Sequence, residues 1–222
     1  MTTSIIKYAL SNLTEKPVYI DVASNGLSCN CSCAKCGEKM VAVQGKSENH
    51  REWHFRHHID SDCLGGQETA IHKLAKQIIV DNSQILIPNE TLIYSQARQE
   101  IKLGSFIPDV TVFANGHDIH FEIAVTNPVD KLKETFYKSG QHKSIEIDLT
   151  NISYDTTPEE LKELVLKTAK RKKIFWQAAI VTTNIQDKQH WWTNPLYVIE
   201  LFIGIGFILF KGYKWLTDKN RR

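Results

Sequence analysis

The sequence predicts a mixed α/β (α+β) protein, and three observations predict it. Five cysteines stand near the N-terminus among clustered histidines, four of them inside eight residues. An apolar pattern of helical period then gives way to β-branched and aromatic runs joined by two-residue turns, the mark of strands folded into hairpins. A long apolar stretch lies near the C-terminal end. The expected organisation is a small metal-binding module over residues 1–65, a domain of sheet and flanking helices over 66–175, and a hydrophobic helix over 190–216.

The chain has 222 residues, ample for a buried core, and its 42% hydrophobic fraction excludes wholesale disorder. Twenty-seven Lys and Arg against 25 Asp and Glu leave a formal net charge of +2, so no global field commits it to nucleic acid or to acidic partners. An odd cysteine count in a tight cluster fits a metal site better than a disulfide framework, which points to a reducing compartment. The opening Met1-Thr2-Thr3-Ser4 lacks a basic region followed by an apolar one, so no secretory signal is expected.

Residues 1–65 show short apolar runs broken by Gly, Asn, Ser, Cys and His, and read as a loop-rich module. A helix follows, because Ile71, Leu74, Ala75, Ile78 and Ile79 recur at helical spacing, with Asn82-Ser83 and Pro88 beyond its end. Three strands come next: one to about Leu103, one over Phe106 to Ala114 and one over His117 to Thr126. Gly104-Ser105 and Asn115-Gly116 connect them, each suited to the positive φ angles of a primed hairpin turn. A polar stretch with Leu132 and Phe136 reads as a helix ending near Gly140, and Ser144 to Leu149 as a further strand. Thr157-Pro158-Glu159-Glu160 is a capping-box start for a helix running toward Lys173. The basic run Lys170-Arg171-Lys172-Lys173 then marks a solvated helix end, where cations meet the negative end of the helix dipole; a nucleic-acid contact is the alternative.

Cys33-x2-Cys36 places two thiolates on one tight turn, and His57 and Cys63 complete a four-coordinate set of the kind that holds structural zinc. His50, His54 and His58 compete for the histidine position, and Cys29 or Cys31 can substitute for Cys33. His57 is preferred because Phe55 beside it is a candidate core anchor. A full protein ligand set leaves no open position for water, so the expected zinc is structural rather than catalytic.

A two-residue turn fixes register. Stepping outward from Asn115-Gly116 brings Asp109 opposite Glu122, and stepping outward from Gly104-Ser105 brings Glu100 opposite Asp109. Three carboxylates then stand in one cross-strand row, while Val110, Val112, Phe121, Ile123 and Val125 point to the opposite, core-facing side. Opposed like charges are destabilising, and a Mg²⁺ or Mn²⁺ ion held by oxygens from neighbouring strands removes that penalty. On the preceding helix Glu68, His72 and Lys76 form one stripe, with Glu68 at the edge of the apolar face. Two readings of Glu68 stand equal: a carboxylate on the positive helix N-terminus, or a further member of the acidic row.

Ile107-Pro108-Asp109-Val110 followed by Glu122-Ile123-Ala124-Val125-Thr126 resembles the PD-(D/E)-x-K nuclease superfamily, and more closely the competence protein CoiA-like family. The resemblance extends over Cys33-x2-Cys36, Trp53-His54-Phe55-Arg56-His57, Cys63, Glu68-x3-His72 and Ile145-Glu146-Ile147-Asp148-Leu149, roughly residues 8–155. It implies a zinc-finger-like module fused to a restriction-endonuclease-like core with a central mixed sheet, acting as a Mg-dependent endo- or exonuclease on nucleic acid, DNA above all. Asp109 and Glu122 would ligate the catalytic metal, with Glu100 and Glu68 as supporting acids. The superfamily's lysine position is Ala124 here, where CoiA-like proteins often carry glutamine. Alanine can neither orient water nor stabilise phosphorane charge, so Lys76, Lys131 and Lys133 are the candidates for the missing cation. The alternative is a catalytically impaired, nuclease-derived module that binds nucleic acid or protein without cutting, as a membrane-tethered regulator or defence component.

Leu196 to Phe210 carries one charge, Glu200, and as a helix spans about 22 Å, short of a bilayer core of about 30 Å. Extending it to Thr193 and Gly212, with Trp191, Trp192, Tyr213 and Trp215 as interfacial aromatics and Lys211 and Lys214 snorkelling, makes a membrane segment the expected reading. The expected location is the cytoplasm, attached to the inner face of the membrane.

Overall fold

A computed structural model describes residues 5–45, 52–59 and 62–176, which belong to one compact unit, Met1–Gln177. The fold is mixed α+β, with three α-helices and two five-stranded sheets among the described residues. The C-terminal segment over 190–216 lies outside those residues, and no helix within them is long and apolar enough to cross a membrane.

The first sheet holds β1 (Tyr8–Ser11), β2 (Pro17–Tyr19), β3 (Gly26–Ser32), β4 (Lys39–Val43) and β5 (His54–His57) in the order β2-β1-β3-β4-β5, all antiparallel. This corrects the expectation of a loop-rich module. Its regularity is hidden in the sequence because cysteines and small residues occupy positions that usually carry long apolar side chains. Ala9, Ile20, Cys31, Cys33, Met40, Ala42 and Phe55 form its small core.

Helix α1 (Gly66–Val80) buries Ala70, Ile71, Ala75, Ile78 and Ile79. A hairpin of β6 (Gln84–Ile87) and β7 (Glu90–Ile93) follows, closed at Pro88-Asn89 with Asn89 at φ 73°. This hairpin is an addition to the three expected strands, and Pro-Asn between apolar runs is its turn signal.

The second sheet contains β8 (Ser95–Gln99), β9 (Val110–Ala114), β10 (His117–Ala124), β11 (Ser144–Asp148) and β12 (Lys172–Ile174), ordered β12-β11-β10-β9-β8. It is mixed, since β10 and β11 run parallel and the other pairs antiparallel. Between β10 and β11 lies α2 (Lys131–Ser139), with Asp130 capping its N-terminus by accepting from Lys133 N at 2.9 Å and Gly140 at its C-cap. Helix α3 (Pro158–Lys167) begins with the expected capping box of Thr157 and Glu160.

The main core joins α1 and α3 to Val110, Val112, Ile119, Phe121, Ile123, Ile145 and Ile147 of the sheet. Fully burying one such side chain contributes about 1.5 to 3 kcal/mol. On β10 the intervening His120, Glu122 and Ala124 are buried as well, so both faces of this strand are covered. Tyr137 of α2 stacks on His120 and on Phe175.

The basic run departs from its reading as a solvated helix end. Helix α3 stops at Lys167, Ala169–Arg171 make one 3-10 turn, and Lys172 and Lys173 belong to β12, paired with Ile147 and Glu146. Pairing with the open edge of β11 satisfies a row of backbone groups that a longer helix would leave bare. Lys172 is consequently buried, donates to Thr168 O at 3.1 Å, and is pushed down to about 8 by burial.

Candidate functional site

The Cys33–Cys36 turn is closed by Cys33 N–H donating to Glu38 O at 2.8 Å and Gly37 N–H donating to Cys33 O at 3.0 Å, with Gly37 at φ +75°. Strand β5 carries His57, paired with Met40 of β4, and Cys63 arrives on the segment before α1. Cys33, Cys36, His57 and Cys63 thereby bring their ligand atoms within 4.8 Å of one another. Cys33 Sγ lies 3.8 Å from Cys63 Sγ, and Cys36 Sγ lies 3.5 Å from His57 Nε2. A tetrahedron with Zn–S near 2.3 Å and Zn–N near 2.0 Å has S···S edges of roughly 3.8 Å and S···N edges of roughly 3.5 Å. The cluster could hold a metal such as zinc. It is the one group of three or more His, Cys, Asp or Glu donors so gathered among the described residues.

Three of the alternative ligands are engaged elsewhere. His54 Nδ1 donates to Glu52 O at 2.9 Å, Cys31 Sγ donates to Cys29 O at 3.0 Å, and Cys29 Sγ to Met40 O at 3.6 Å. His50 lies outside the described residues. Gly66 abuts the cluster, since a Cβ there would meet Cys33 Sγ at 2.7 Å.

The acidic row follows the turn geometry. Asn115 at φ 52° and Gly116 at φ 80° make a type I′ turn, and β9 pairs with β10 as far as Val110 opposite Phe121, which leaves Asp109 and Glu122 as the next pair outward. Gly104, with φ +58°, supplies the other turn, and Leu103 bridges Phe106. Gln99 pairs with Val110, and Glu100 N–H donates to Asp109 O at 3.1 Å. The next rung of the β9–β10 ladder would fall at Pro108, which has no N–H. Ile123 N–H instead donates to Asp109 Oδ2 at 2.8 Å, so a carboxylate closes the ladder at the end of the row.

Each acid has a basic or hydroxylic partner. From α1, His72 Nε2 lies 3.0 Å from Asp109 Oδ2 and Lys76 Nζ 2.7 Å from Glu100 Oε1. From α2, Lys133 Nζ lies 2.7 Å from Glu122 Oε2 and donates also to Ile107 O at 3.1 Å, while Tyr137 OH donates to Glu122 Oε1. Burial opposes ionisation of Asp109, but the hydrogen bonds from His72 and Ile123 N–H outweigh it and hold that carboxyl below its usual range. Burial pushes Glu122 up, and Lys133 and Tyr137 only partly offset it. Two adjacent carboxylates are thus driven apart in acidity, a pattern that separates proton-accepting from permanently ionised roles.

A fourth acid, not expected from the hairpin register, joins the row. Glu146, on β11, pairs in parallel register with Glu122, is 5% exposed, and accepts from Val129 N–H at 2.5 Å. Glu68 finds its partners outside the row: Thr126 Oγ1 donates to its Oε2 at 3.0 Å and Tyr154 OH to its Oε1 at 3.3 Å. Ala124 is buried opposite Asp148.

No protein-family model, curated protein or solved structure matches this chain.

Proposed function

We propose that the chain is a metal-dependent nuclease, hydrolysing phosphodiester bonds of DNA, with a restriction-endonuclease-like core and a structural zinc held by Cys33, Cys36, His57 and Cys63. The observation that carries this reading is Lys133 on Glu122, because it brings a cation to the acidic row where Ala124 cannot. The row fits Mg²⁺ or Mn²⁺ in chemistry, being made of hard oxygen donors. Asp109 Oδ1 accepts no hydrogen bond from the described residues, and its side chain is 17% exposed, which leaves that oxygen able to ligate. When bound, a divalent ion supplies a nucleophilic water at neutral pH and neutralises charge on the transferring phosphate.

The chain's own groups divide the remaining work. Asp109, whose carboxyl is held below its usual range by His72 and Ile123 N–H, is the member of the pair that stays ionised more readily. Glu122, with its raised affinity for a proton, is the stronger base of the two and accepts the proton of the attacking water. Lys133 then faces the negative charge that develops on phosphate, while Lys76 secures Glu100 at the edge. The apolar segment over 190–216 is proposed to attach this unit to the inner face of the membrane.

The test is incubation of the full chain with single- and double-stranded DNA and RNA in Mg²⁺ or Mn²⁺. Cleavage is expected for the wild type, loss of it for Asp109→Ala and Glu122→Ala, and a fall of about a hundredfold or more for Lys133→Ala. Cleavage that survives both carboxylate substitutions sinks the assignment. A second reading, a nucleic-acid-binding module that does not cut, is favoured by the pairing of Glu100, Asp109 and Glu122 with bases of the chain itself. Calorimetric titration separates the two: no uptake of Mg²⁺ together with salt-dependent DNA affinity selects the second.

A further inference from the structure

A cleft of about 530 Å³ is lined by Glu68, Ile71, Thr126, Thr150, Asn151 and Tyr154 among others, and Thr126 lies two residues beyond the strand that carries Glu122. That volume lies in the range of small-ligand clefts, roughly 300 to 1,000 Å³. Nothing in the proposed chemistry uses it. Glu68 is the one carboxylate of its lining, and both of its oxygens are oriented by hydroxyl donors, Thr126 Oγ1 and Tyr154 OH. A carboxylate oxygen accepts two hydrogen bonds, so each still has one acceptor site after these contacts. The pair therefore presents two parallel acceptors. The half-exposed Tyr154, whose hydroxyl is fixed by Glu68, stands at the cleft wall as an aromatic surface.

We infer that this cleft receives an unpaired guanine base of the nucleic-acid strand that lies on the acidic row. The inference rests on the nuclease reading for the strand's presence and adds the substrate class, single-stranded DNA or an unpaired segment of a duplex. Guanine offers two adjacent N–H donors, N1–H and the N2 amine, on its Watson–Crick edge, which match the two acceptors of Glu68. No other base presents that pair. Unpaired bases are held in this manner on single strands, by stacking on an aromatic side chain and hydrogen bonding along the exposed edge. A base inside a duplex must leave its stack to enter. The placement suits neighbouring nucleotides: Glu68 precedes His72 by one turn of α1, about 6 Å, and His72 touches Asp109. Thr126 lies two residues beyond β10, the strand that carries Glu122.

The experiment measures fluorescence anisotropy of the full chain carrying Asp109→Asn, so that no strand is cut. The probes are labelled oligo(dT), the same oligomer with one central dG, and the same oligomer with inosine there, which lacks the N2 amine. The dG oligomer is expected to bind about tenfold tighter than oligo(dT), with inosine between them. Glu68→Gln, which replaces one acceptor by a donor at equal size, is expected to abolish the preference while oligo(dT) affinity stays within twofold. Tyr154→Ala is expected to weaken the dG oligomer at least fivefold and Tyr154→Phe less than Tyr154→Ala, with circular dichroism melting verifying that each variant is folded. Equal binding of the three oligomers, or a dG preference that survives Glu68→Gln, overturns the inference. Cleavage by the wild-type chain is scored separately. Cutting without base preference removes the guanine site and spares the nuclease reading; preference in binding without cutting does the reverse.

Discussion

His120 is driven down to about 4, chiefly by burial and secondarily by His142 beside it. An unfolded histidine titrates near 6.5, so between those values the unfolded chain binds the extra proton and the folded chain does not. The neutral imidazole, paired with Thr111 Oγ1 at 3.0 Å, therefore supports the fold fully above pH 6.5, and that support drains away as pH falls to about 4. The difference amounts to about 3 kcal/mol, which His120→Gln should remove from the loss measured by urea unfolding at pH 7 and pH 4. Equal losses in the two proteins would show that His120 protonates as readily in the fold as outside it. Lys133 offers a second test at this scale. Lys133→Met leaves Glu122 buried with only Tyr137 as partner, and a stability loss of about 2 to 4 kcal/mol at pH 7 is expected by denaturant unfolding. Glu122→Gln in the same chain should recover most of it, because a neutral amide needs no counter-charge.

At the scale of elements, Gly116→Ala tests the hairpin that aligns the row. Its φ of +80° excludes an easy alanine, so a loss of about 1 kcal/mol is expected from thermal or urea unfolding, with register kept by Asn115. The same turn explains what could be read in advance. Asp109, Glu122 and Glu100 were placed because two-residue turns convert sequence distance directly into strand register. Glu146 escaped because β11 is parallel to β10 and reached through α2, and a crossover carries no local register. The end of α3 escaped for a related reason: Lys172 and Lys173 have helix-compatible composition, and only the distant edge of β11 turns them into strand. In the N-terminal sheet the ligand set was legible from Cys33-x2-Cys36, but β1 to β5 were not, since residues chosen for thiol or imidazole chemistry interrupt the alternation that marks a strand. Glu68 was half legible; the helix stripe located it, but its partners Thr126 and Tyr154 come from outside any hairpin.

For the whole molecule, metal content and cooperativity are linked. About one zinc per chain is expected by elemental analysis, and its removal by a strong chelator should lower the melting of the entire unit Met1–Gln177 in one transition. The reason is that the two cores are bolted together: Gln67 Oε1 accepts from the amides of Lys7 and Tyr8 at 2.8 and 3.0 Å while its Nε2 donates to Tyr154 O at 3.0 Å. Metal content below a tenth of an equivalent in folded protein prepared without chelator would refute the zinc site. Deleting residues 186–222 should leave this unit monodisperse and unchanged in melting, whereas aggregation would reveal that the apolar segment is needed to cover it. Tyr8 has one more consequence. Its ring belongs to the main core and its hydroxyl donates to Thr156 O at 2.7 Å, across a separation of 148 residues. On the ribosome, at about 5 to 20 residues per second, that acceptor emerges roughly seven to thirty seconds after the tyrosine itself. The cysteines and histidine of the cluster all leave the tunnel well inside that interval, by Cys63. If they take up zinc at once, the nascent chain waits for its second half with its thiols already masked, and the strand made first is the one locked last.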